Sequence, residues 1–269
     1  MIATIEHEGR TWRVDLGNPA DLSITLEFGG SQPNAFGLPR ATSEPFRAGS
    51  FVGDTREGGT VNCETVTLAP HGNGTHTECV GHIADERVPI SDILQDTLSL
   101  AIVATVTPER LDSSDERYAA SHLHDDLVVT AQSLADALAA LTEIEATSLI
   151  VRTLPNSPEK RFAHHSGSNP VYFTTDAMRE IRQHNVKHLL VDFPSVDREE
   201  DDGLLPNHHL FWEVPAGTHD IVNVPSAATI TEMVFVPDIV EDGPAFITIQ
   251  IPDWALDAAP SRPRLFPAS

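Results

Sequence analysis

Three histidines and one carboxylate lie close together in the segment HGNGTHTECVGH: His71, His76, Glu78 and His82. Imidazole nitrogen and carboxylate oxygen are the donor set of catalytic zinc and manganese sites. The glycines of this segment disfavour a regular helix, so the pattern predicts a glycine-rich turn that follows a strand and folds around an ion. A single histidine is more often a core or surface residue, but a cluster of this density favours metal binding.

A complete metal site needs further ligands from the second half of the chain. The candidates there are His208, His209 and carboxylates near the later strands. Glu232 follows the alternating sequence TIT and shares the side of Ile230, which is the face expected to be buried. A buried carboxylate needs a positive partner, and a metal ion would be sufficient. A water-exposed position at the end of a strand is the alternative for Glu232.

Three other polar or reactive segments are predicted to have no direct role. His164 and His165 precede Ser-Gly-Ser and are typical of an exposed polar turn. The run Asp197–Asp202 is predicted to be a solvated acidic loop, because like charges this dense repel one another, although Asp197 could orient a neighbouring ligand. Cys79 could act as a nucleophile among the histidines, but a small buried residue is the favoured interpretation.

The elements that must position these residues are mostly strands. Residues 3–16 have the pattern of a hairpin around Gly9. Runs of apolar and β-branched residues predict further strands, at 60–70, 99–108, 147–154 and 187–197, and strand-rich stretches at 221–237 and 244–252. Helices are predicted over 134–144, capped by Ser133, and over 176–185 after Thr175. The order predicts one β-rich α/β domain over residues 1–269.

The composition excludes several classes of protein. The 269 residues include 40 acidic and 17 basic side chains, a formal net charge of −23, which argues against nucleic-acid partners and against anionic membrane surfaces. Two cysteines are too few for a disulfide scaffold. The chain has no apolar run of the ~18 residues that a membrane span requires. The opening MIATIEHEGR has no apolar stretch typical of a secretion signal, so we expect a cytoplasmic protein.

The histidine segment resembles the signature of a family of metal-dependent hydrolases, the cyclase family, which includes bacterial kynurenine formamidase and isatin hydrolase. That signature is His-x-Gly-Thr-His-x-Asp-x-Pro-x-His, and residues 74–82 match its core with Glu and Val in place of Asp and Pro. His71 lies five residues before His76, whereas the family has four. Later segments are also similar, namely LLVDFPSVD, NHHLFW, TITEMVFVP and ITIQIPDWALDAAPSRP. The resemblance therefore spans roughly residues 60–264.

The resemblance implies a role for each matched residue. It assigns metal binding to five of them: His71, His76, Glu78, His208 and Glu232. His82 would be the acid/base histidine that does not bind the metal, and His209 would replace His208 if the match shifted by one residue. The resemblance further implies zinc first and manganese second, one or two ions with Glu78 as the bridge, a swivelling β/β/α fold, and a homodimer or homotetramer.

The chemistry that such a site would perform is attack of water on an amide or formamide carbonyl. A bound divalent metal lowers the pKa of its water to about 7 and polarises the carbonyl. His82 would accept the proton and return it to the leaving nitrogen. The chain has no G-x-S-x-G elbow, which argues against a serine hydrolase.

The function favoured by the resemblance is an arylformamidase that converts N-formylkynurenine to kynurenine in tryptophan catabolism. The alternatives are an isatin-like cyclic amide or lactone hydrolase with the same site, and a non-catalytic metal-binding protein, which would not need His82. The substrate would be a small aromatic amide, with pocket walls from residues 18–58 and 155–175. Aromatic side chains in these stretches could face a planar ring or belong to the core: Phe36, Phe46, Phe51, Phe162, Tyr172 and Phe173.

Overall fold

The runs of β-branched residues form strands, and strands dominate the chain. The computed structural model describes residues 1–141, 143–221 and 226–269. The strands are β1 (Ile2–His7), β2 (Arg10–Asp15), β3 (Ala20–Asp21), β4 (Thr42–Pro45), β5 (Arg47–Ala48), β6 (Phe51–Val52), β7 (Glu64–Thr67), β8 (His76–Cys79), β9 (Ser99–Val106), β10 (Glu109–Arg110), β11 (Leu127–Val129), β12 (Ser148–Thr153), β13 (Tyr172–Phe173), β14 (His188–Val191), β15 (Thr229–Glu232), β16 (Gly243–Gln250), β17 (Ala258–Pro260) and β18 (Arg262–Pro267). The helices are α1 (Ile90–Ile93), α2 (Ala131–Leu138), α3 (Thr175–Gln183) and α4 (Pro206–Phe211).

A large mixed sheet holds the molecule together. Its nine strands follow the order β17-β8-β15-β14-β12-β9-β16-β18-β3. The central strands β9, β12, β14 and β15 are parallel to one another. On one side of them β8 and then β17 extend the sheet, and on the other side β16, β18 and β3 do. Each of these outer strands is antiparallel to its inner neighbour in the sheet. Parallel strands that are covered on both faces have near-continuous apolar sequences, which explains the unbroken runs in β9 and β12.

Apolar side chains cover both faces of this sheet. Leu149 and Val151 of β12 pack in the cluster that contains the buried residues of α2, α3 and α4. Ile150, which lies between them, belongs to the cluster on the opposite face together with Leu22 and Leu265. Successive side chains of a strand point to opposite faces, so one strand contributes to both layers. The predicted fold class, a β-rich α/β single domain of the swivelling β/β/α type, is confirmed.

Most predicted strands are present, with shorter bounds. The hairpin is confirmed, since β1 and β2 pair antiparallel on either side of the turn at Gly9. The strands predicted at 99–108, 147–154 and 187–197 correspond to β9, β12 and β14. The stretch predicted at 60–70 is strand only over β7, which pairs with β4 outside the large sheet. Residues 222–225 of the stretch 221–237 lie outside the described residues.

The predicted cap of the first long helix was wrong by three residues. The side chain of Thr130, not Ser133, caps α2, and it accepts a hydrogen bond from the Ser133 amide at 3.1 Å. Ser133 instead occupies the third position of the helix and completes a capping box. Thr174 caps α3, and its side chain accepts a hydrogen bond from the Ala177 amide at 3.0 Å. Residue 142 of the helix predicted over 134–144 is not among the described residues. No helix in the described ranges is long and apolar enough to cross a bilayer.

Candidate metal centre

The segment around His76 is a buried strand, which corrects the predicted glycine-rich turn. His76 and Glu78 are alternate residues of β8 and therefore project from the same face of the sheet. Short 3₁₀ turns on either side of the strand, Pro70–Gly72 and Val80–His82, bring the remaining two histidines back towards it. The strand forms because β15 and β17 pair with it from both sides, a non-local contact that the glycines do not reveal.

Glu232 lies on the neighbouring strand, directly opposite His76. The register of β15 with β8 pairs these two residues, so their side chains share a face. The Glu232 carboxylate is 3% exposed, and its Oε2 lies 3.4 Å from His76 Nε2. The other oxygen accepts a hydrogen bond from the Val196 amide at 3.1 Å. The alternative interpretation of Glu232, a water-exposed position at the end of a strand, is therefore wrong.

The short helix α4 supplies one histidine to the cluster and keeps the adjacent one away. His208 Nε2 lies 3.1 Å from Glu78 Oε1. His209 is also buried, but its Nδ1 faces the Val214 carbonyl oxygen at 3.3 Å. Consecutive helical residues project about 100° apart, so only one of the two can face the strand. The structure brings His208 to the cluster and excludes His209 from it.

Asp197 holds His208 in place, which corrects the predicted solvated loop. The carboxylate is 2% exposed, and its Oδ2 lies 2.7 Å from His208 Nδ1. It also accepts hydrogen bonds from the Asn207 and His208 amides and from the Tyr118 hydroxyl. Asp201 in the same acidic run is buried as well, whereas Asp202 is exposed. Backbone amides at the start of α4 thus stabilise a carboxylate that charge density alone would place in water.

His71 and His82 face each other across the edge of the cluster. Their rings stack with centroids 4.2 Å apart. His71 Nδ1 lies 2.9 Å from Glu78 Oε2, and His82 Nε2 lies 4.0 Å from the same oxygen. Both histidines remain partly exposed. The structure therefore brings together all six residues that the resemblance assigned to metal binding or catalysis, with the other five around the Glu78 carboxylate.

One residue of the cluster, Asp257, was missed by the sequence analysis. Its Oδ2 lies 2.8 Å from His71 Nε2 and 3.6 Å from His82 Nδ1. It belongs to the tail segment that matches the family, but nothing in its spacing distinguishes it from Asp253 nearby. Only the pairing of β17 with β8 brings this carboxylate to the histidines.

The two buried carboxylates have opposite pKa shifts. Burial raises the pKa of Glu78, but the neighbouring histidines, His82 foremost, outweigh that effect and hold this pKa well below its usual range. Burial and the negative charge of Glu78 raise the pKa of Glu232, and His76 offsets this only in part. The two carboxylates therefore repel each other, and a positive charge between them would stabilise both in the ionised form.

Two of the histidines around them, His71 and His208, have raised pKa values. Burial opposes protonation of His208, yet hydrogen bonds to Asp197 and Glu78 raise its pKa well above the usual value. Burial likewise opposes protonation of His71, and hydrogen bonds to Asp257 and Glu78 raise its pKa to about 10. Without a metal these rings carry the protons that compensate the buried carboxylates.

The donor atoms fit a divalent cation. His71, His76 and Glu78 have donor atoms within 4.8 Å of one another, as do Glu78, His82 and His208. Bonds of about 2.0–2.2 Å place neighbouring donors of a tetrahedral zinc roughly 3.4 Å apart. The separations of 2.9, 3.1 and 3.4 Å within the cluster are close to that value. His76 Nε2 is also buried without a hydrogen-bond partner.

A cleft of about 750 Å³ leads to the cluster. Its apolar walls include Phe36, Leu38 and Leu205, and the cluster residues lie along it. Of the six aromatic side chains that the sequence left open between a pocket wall and the core, only Phe36 lines the cleft. Tyr172 and Phe173 of β13 are buried in the core. The other three are exposed elsewhere, namely Phe46, Phe51 and Phe162.

The buried thiol of Cys79 does not provide a nucleophile. Burial raises the pKa of this thiol to about 12, so the reactive thiolate does not form near neutral pH. Its Sγ lies 3.4 Å from the Val88 carbonyl oxygen. The interpretation as a small buried residue agrees with this environment.

The sequence matches the model of a known protein family. A family model described as "Putative cyclase" matches residues 14–198, which is more than half of the chain. A search of curated proteins finds no match.

Several solved structures share the fold at low sequence identity. A predicted metal-dependent hydrolase from Bacillus stearothermophilus is 17% identical with a TM-score of 0.57, over 93% of this chain and 98% of that one. Isatin hydrolase A from Labrenzia aggregata, bound to benzyl benzoate, is 14% identical with a TM-score of 0.61, over 93% of each chain. Isatin hydrolase A from Ralstonia solanacearum is 15% identical with a TM-score of 0.60, over 93% of this chain and 91% of that one. These likenesses establish a common fold.

The adjacent histidines of α4 provide a matched pair of variants. We expect His208→Ala to weaken zinc binding at least about 100-fold, because it removes a nitrogen next to Glu78. His209→Ala should leave the affinity within about twofold of the unchanged protein, since that ring faces Val214. Titration of the metal-free proteins against a chromophoric zinc chelator measures both affinities. Equal losses in the two variants would contradict this placement.

Zinc uptake by the metal-free protein should release protons. The raised pKa values of His71 and His208 mean that both rings are protonated at neutral pH, and each must lose a proton to bind a metal. The zinc affinity should therefore rise with pH between about 6 and 8, with about two protons released per ion. Calorimetry in buffers of different ionisation enthalpy counts those protons. Proton-free binding with a constant affinity would be the contrary result.

Proposed function

This chain belongs to the cyclase family, and we propose that it is a metal-dependent hydrolase that cleaves a carbon–nitrogen bond in a small aromatic amide. The observation that carries the proposal is the convergence of five donor residues, of which all but the fully buried His76 line the cleft: His71, His76, Glu78, His208 and Glu232. Three of them are histidines whose outward-facing nitrogens contact protein oxygens, which leaves the other nitrogen of each ring for a cation. Zinc is the proposed metal and manganese the alternative.

The residues of the cleft suit hydrolysis of such a bond. A divalent cation in this position supplies Lewis acidity towards a carbonyl and a lowered pKa for water. His82 lines the cleft and its Nε2 reaches the neighbourhood of Glu78, so it is placed to accept a proton from water and donate it to the leaving nitrogen. Phe36 and Leu38 form an apolar wall that excludes water and accepts a ring.

The first substrate that we propose is N-formylkynurenine, which would make the protein an arylformamidase of tryptophan catabolism. The support is the sequence resemblance to bacterial kynurenine formamidase. The same resemblance underlies one further part of the proposal, a homodimer or homotetramer. A cytoplasmic location, which the sequence analysis expects on separate grounds, is also part of the proposal.

The second substrate candidate is an uncharged cyclic amide of the isatin type. Isatin hydrolases are among the structures with this fold. Of the described residues that line the cleft, only Arg198 carries a fixed positive charge, and Asp126 Oδ2 binds its Nε at 2.8 Å. The remaining charged residues at the mouth are carboxylates, including Glu199, Glu200 and Asp202. The negative charge at the entrance of the cleft favours a substrate without a free carboxylate, because like charges repel.

Parallel assays of metal-stripped protein test the proposal. We expect no hydrolysis after treatment with a chelator, and recovery when zinc or manganese is added back, with either N-formylkynurenine or isatin as substrate. Turnover of the first supports the arylformamidase, and turnover of isatin alone supports the cyclic amide hydrolase. Full activity without metal would refute a metallohydrolase. Stoichiometric metal binding without turnover of any amide or lactone would leave a non-catalytic metal-binding protein.

The role of His82 separates catalysis from metal binding. His82→Ala should lower kcat about 10²–10⁴-fold, which is the usual effect of losing a proton-transfer group. We expect the zinc content to remain that of the unchanged protein, measured by atomic emission on the same samples. His124→Ala, at an exposed position, is the control and should change neither quantity. Loss of zinc from His82→Ala would make this residue a ligand instead.

A further inference from the structure

A carboxylate from the end of the chain contacts the two histidines at the edge of the cluster. Asp257 Oδ2 lies 2.8 Å from His71 Nε2, which is hydrogen-bond distance, and 3.6 Å from His82 Nδ1. The hydrogen bond joins residues 186 positions apart in the sequence. Neither the family signature nor the spacing of the histidines assigns a role to this residue.

The backbone fixes the position of this carboxylate from two directions. The Asp257 carbonyl oxygen accepts a hydrogen bond from the Cys79 amide at 3.1 Å, and the next residue pairs with Glu78 in the register of β17 with β8. Gly81 allows the close approach, because a Cβ there would lie 3.1 Å from Asp257 Cβ and 2.5 Å from the Val88 carbonyl oxygen. The tail is therefore packed closely against the histidine segment.

The contact with Asp257 determines which nitrogen of His71 faces the cluster. A neutral imidazole has one N–H donor and one acceptor nitrogen. When His71 Nε2–H donates to Asp257, the Nδ1 lone pair is directed at the Glu78 side, where Nδ1 lies 2.9 Å from Oε2. That Nδ1 is buried.

The other two histidines of the donor set are held in the same manner. His76 Nδ1 lies 3.0 Å from the Gly74 carbonyl oxygen, and His208 Nδ1 lies 2.7 Å from Asp197 Oδ2. Each ring thus has an oxygen partner on its outer nitrogen and presents the inner one. For His71 that partner is Asp257, which completes the pattern.

The His71 ring depends on this contact more than the other two rings depend on theirs, because His71 lies outside the strand. The extra residue between His71 and His76 places His71 in the 3₁₀ turn before β8, at the margin of the sheet. Such a ring has fewer neighbours to fix its orientation than the fully buried His76 and His208. A carboxylate from β17 supplies the missing restraint, and it lies beside His82 as well.

We propose that Asp257 is a positioning residue, which orients His71 as a metal ligand and restrains the adjacent His82. This inference rests on the metal centre of the proposed function but not on the identity of its substrate. Carboxylates that accept a hydrogen bond from a metal-binding histidine typically contribute 10–100-fold in metal affinity. Zinc affinity is therefore the direct measure of the role.

The test compares two Asp→Asn substitutions in the full-length metal-free protein. Asp257→Asn keeps the shape of the side chain and should weaken zinc binding about 10–100-fold in competition with a chromophoric chelator. Asp253→Asn removes the same charge from an exposed position in the same tail and should leave the affinity unchanged. Melting of the metal-free variants by circular dichroism verifies that both are folded.

A double variant shows whether Asp257 acts through His71. If it does, adding Asp257→Asn to His71→Ala should cause no further loss of zinc affinity, because the ring that it orients is already absent. A further 10-fold loss in the double variant, or an unchanged affinity in Asp257→Asn alone, would overturn the proposal. These outcomes are read without any substrate, so they are distinct from a failure to hydrolyse amides. A protein that binds no zinc at all would overturn both this inference and the metal centre.

Discussion

Two carboxylates lie almost without access to water inside the sheet, and the fold must supply positive charge for both. Glu78 and Glu232 are 1% and 3% exposed. Removing an ionised carboxylate from water costs several kcal/mol that only a well-placed counter-charge offsets. In the metal-free state protonated histidines supply that charge, and their raised pKa values are the consequence. A divalent cation would satisfy both carboxylates and release the protons.

The architecture of the sheet brings the compensating residues to these carboxylates. The strand β8 is inserted antiparallel between β15 and β17, and the register sets His76 beside Glu232. From the helical layer α4 adds His208, whose orientation depends on the buried Asp197. Elements from three distant parts of the sequence therefore meet at a single carboxylate, Glu78. The parallel strands β14 and β15 and the apolar layers on their two faces provide the rigid support for this meeting point.

The sequence was informative where the relevant signal is local. Apolar periodicity located the hairpin, most of the central strands and the two longer helices, and the density of histidines located the cluster. It was less informative where partners are distant in the chain. The strand at His76 forms through pairing with β15 and β17, and Asp197 is buried because α4 supplies backbone amides. Asp257 looks like any surface carboxylate until β17 is paired. The sequence could not assign Tyr172 and Phe173 to a pocket wall or to the core, because an aromatic side chain suits either place; the structure buries both in the core.

The measurement that tests the central claim most directly is anomalous diffraction from crystals grown with zinc, using data collected on both sides of the zinc absorption edge. The account predicts an anomalous peak about 2.0–2.3 Å from donor atoms of the five proposed ligands, namely His71, His76, Glu78, His208 and Glu232. The imidazoles should bind through His71 Nδ1, His76 Nε2 and His208 Nε2. An ion held by His71, His82 and Asp257 alone, which form a separate candidate group, would contradict this account. So would crystals of the folded protein in which no zinc binds at the cleft.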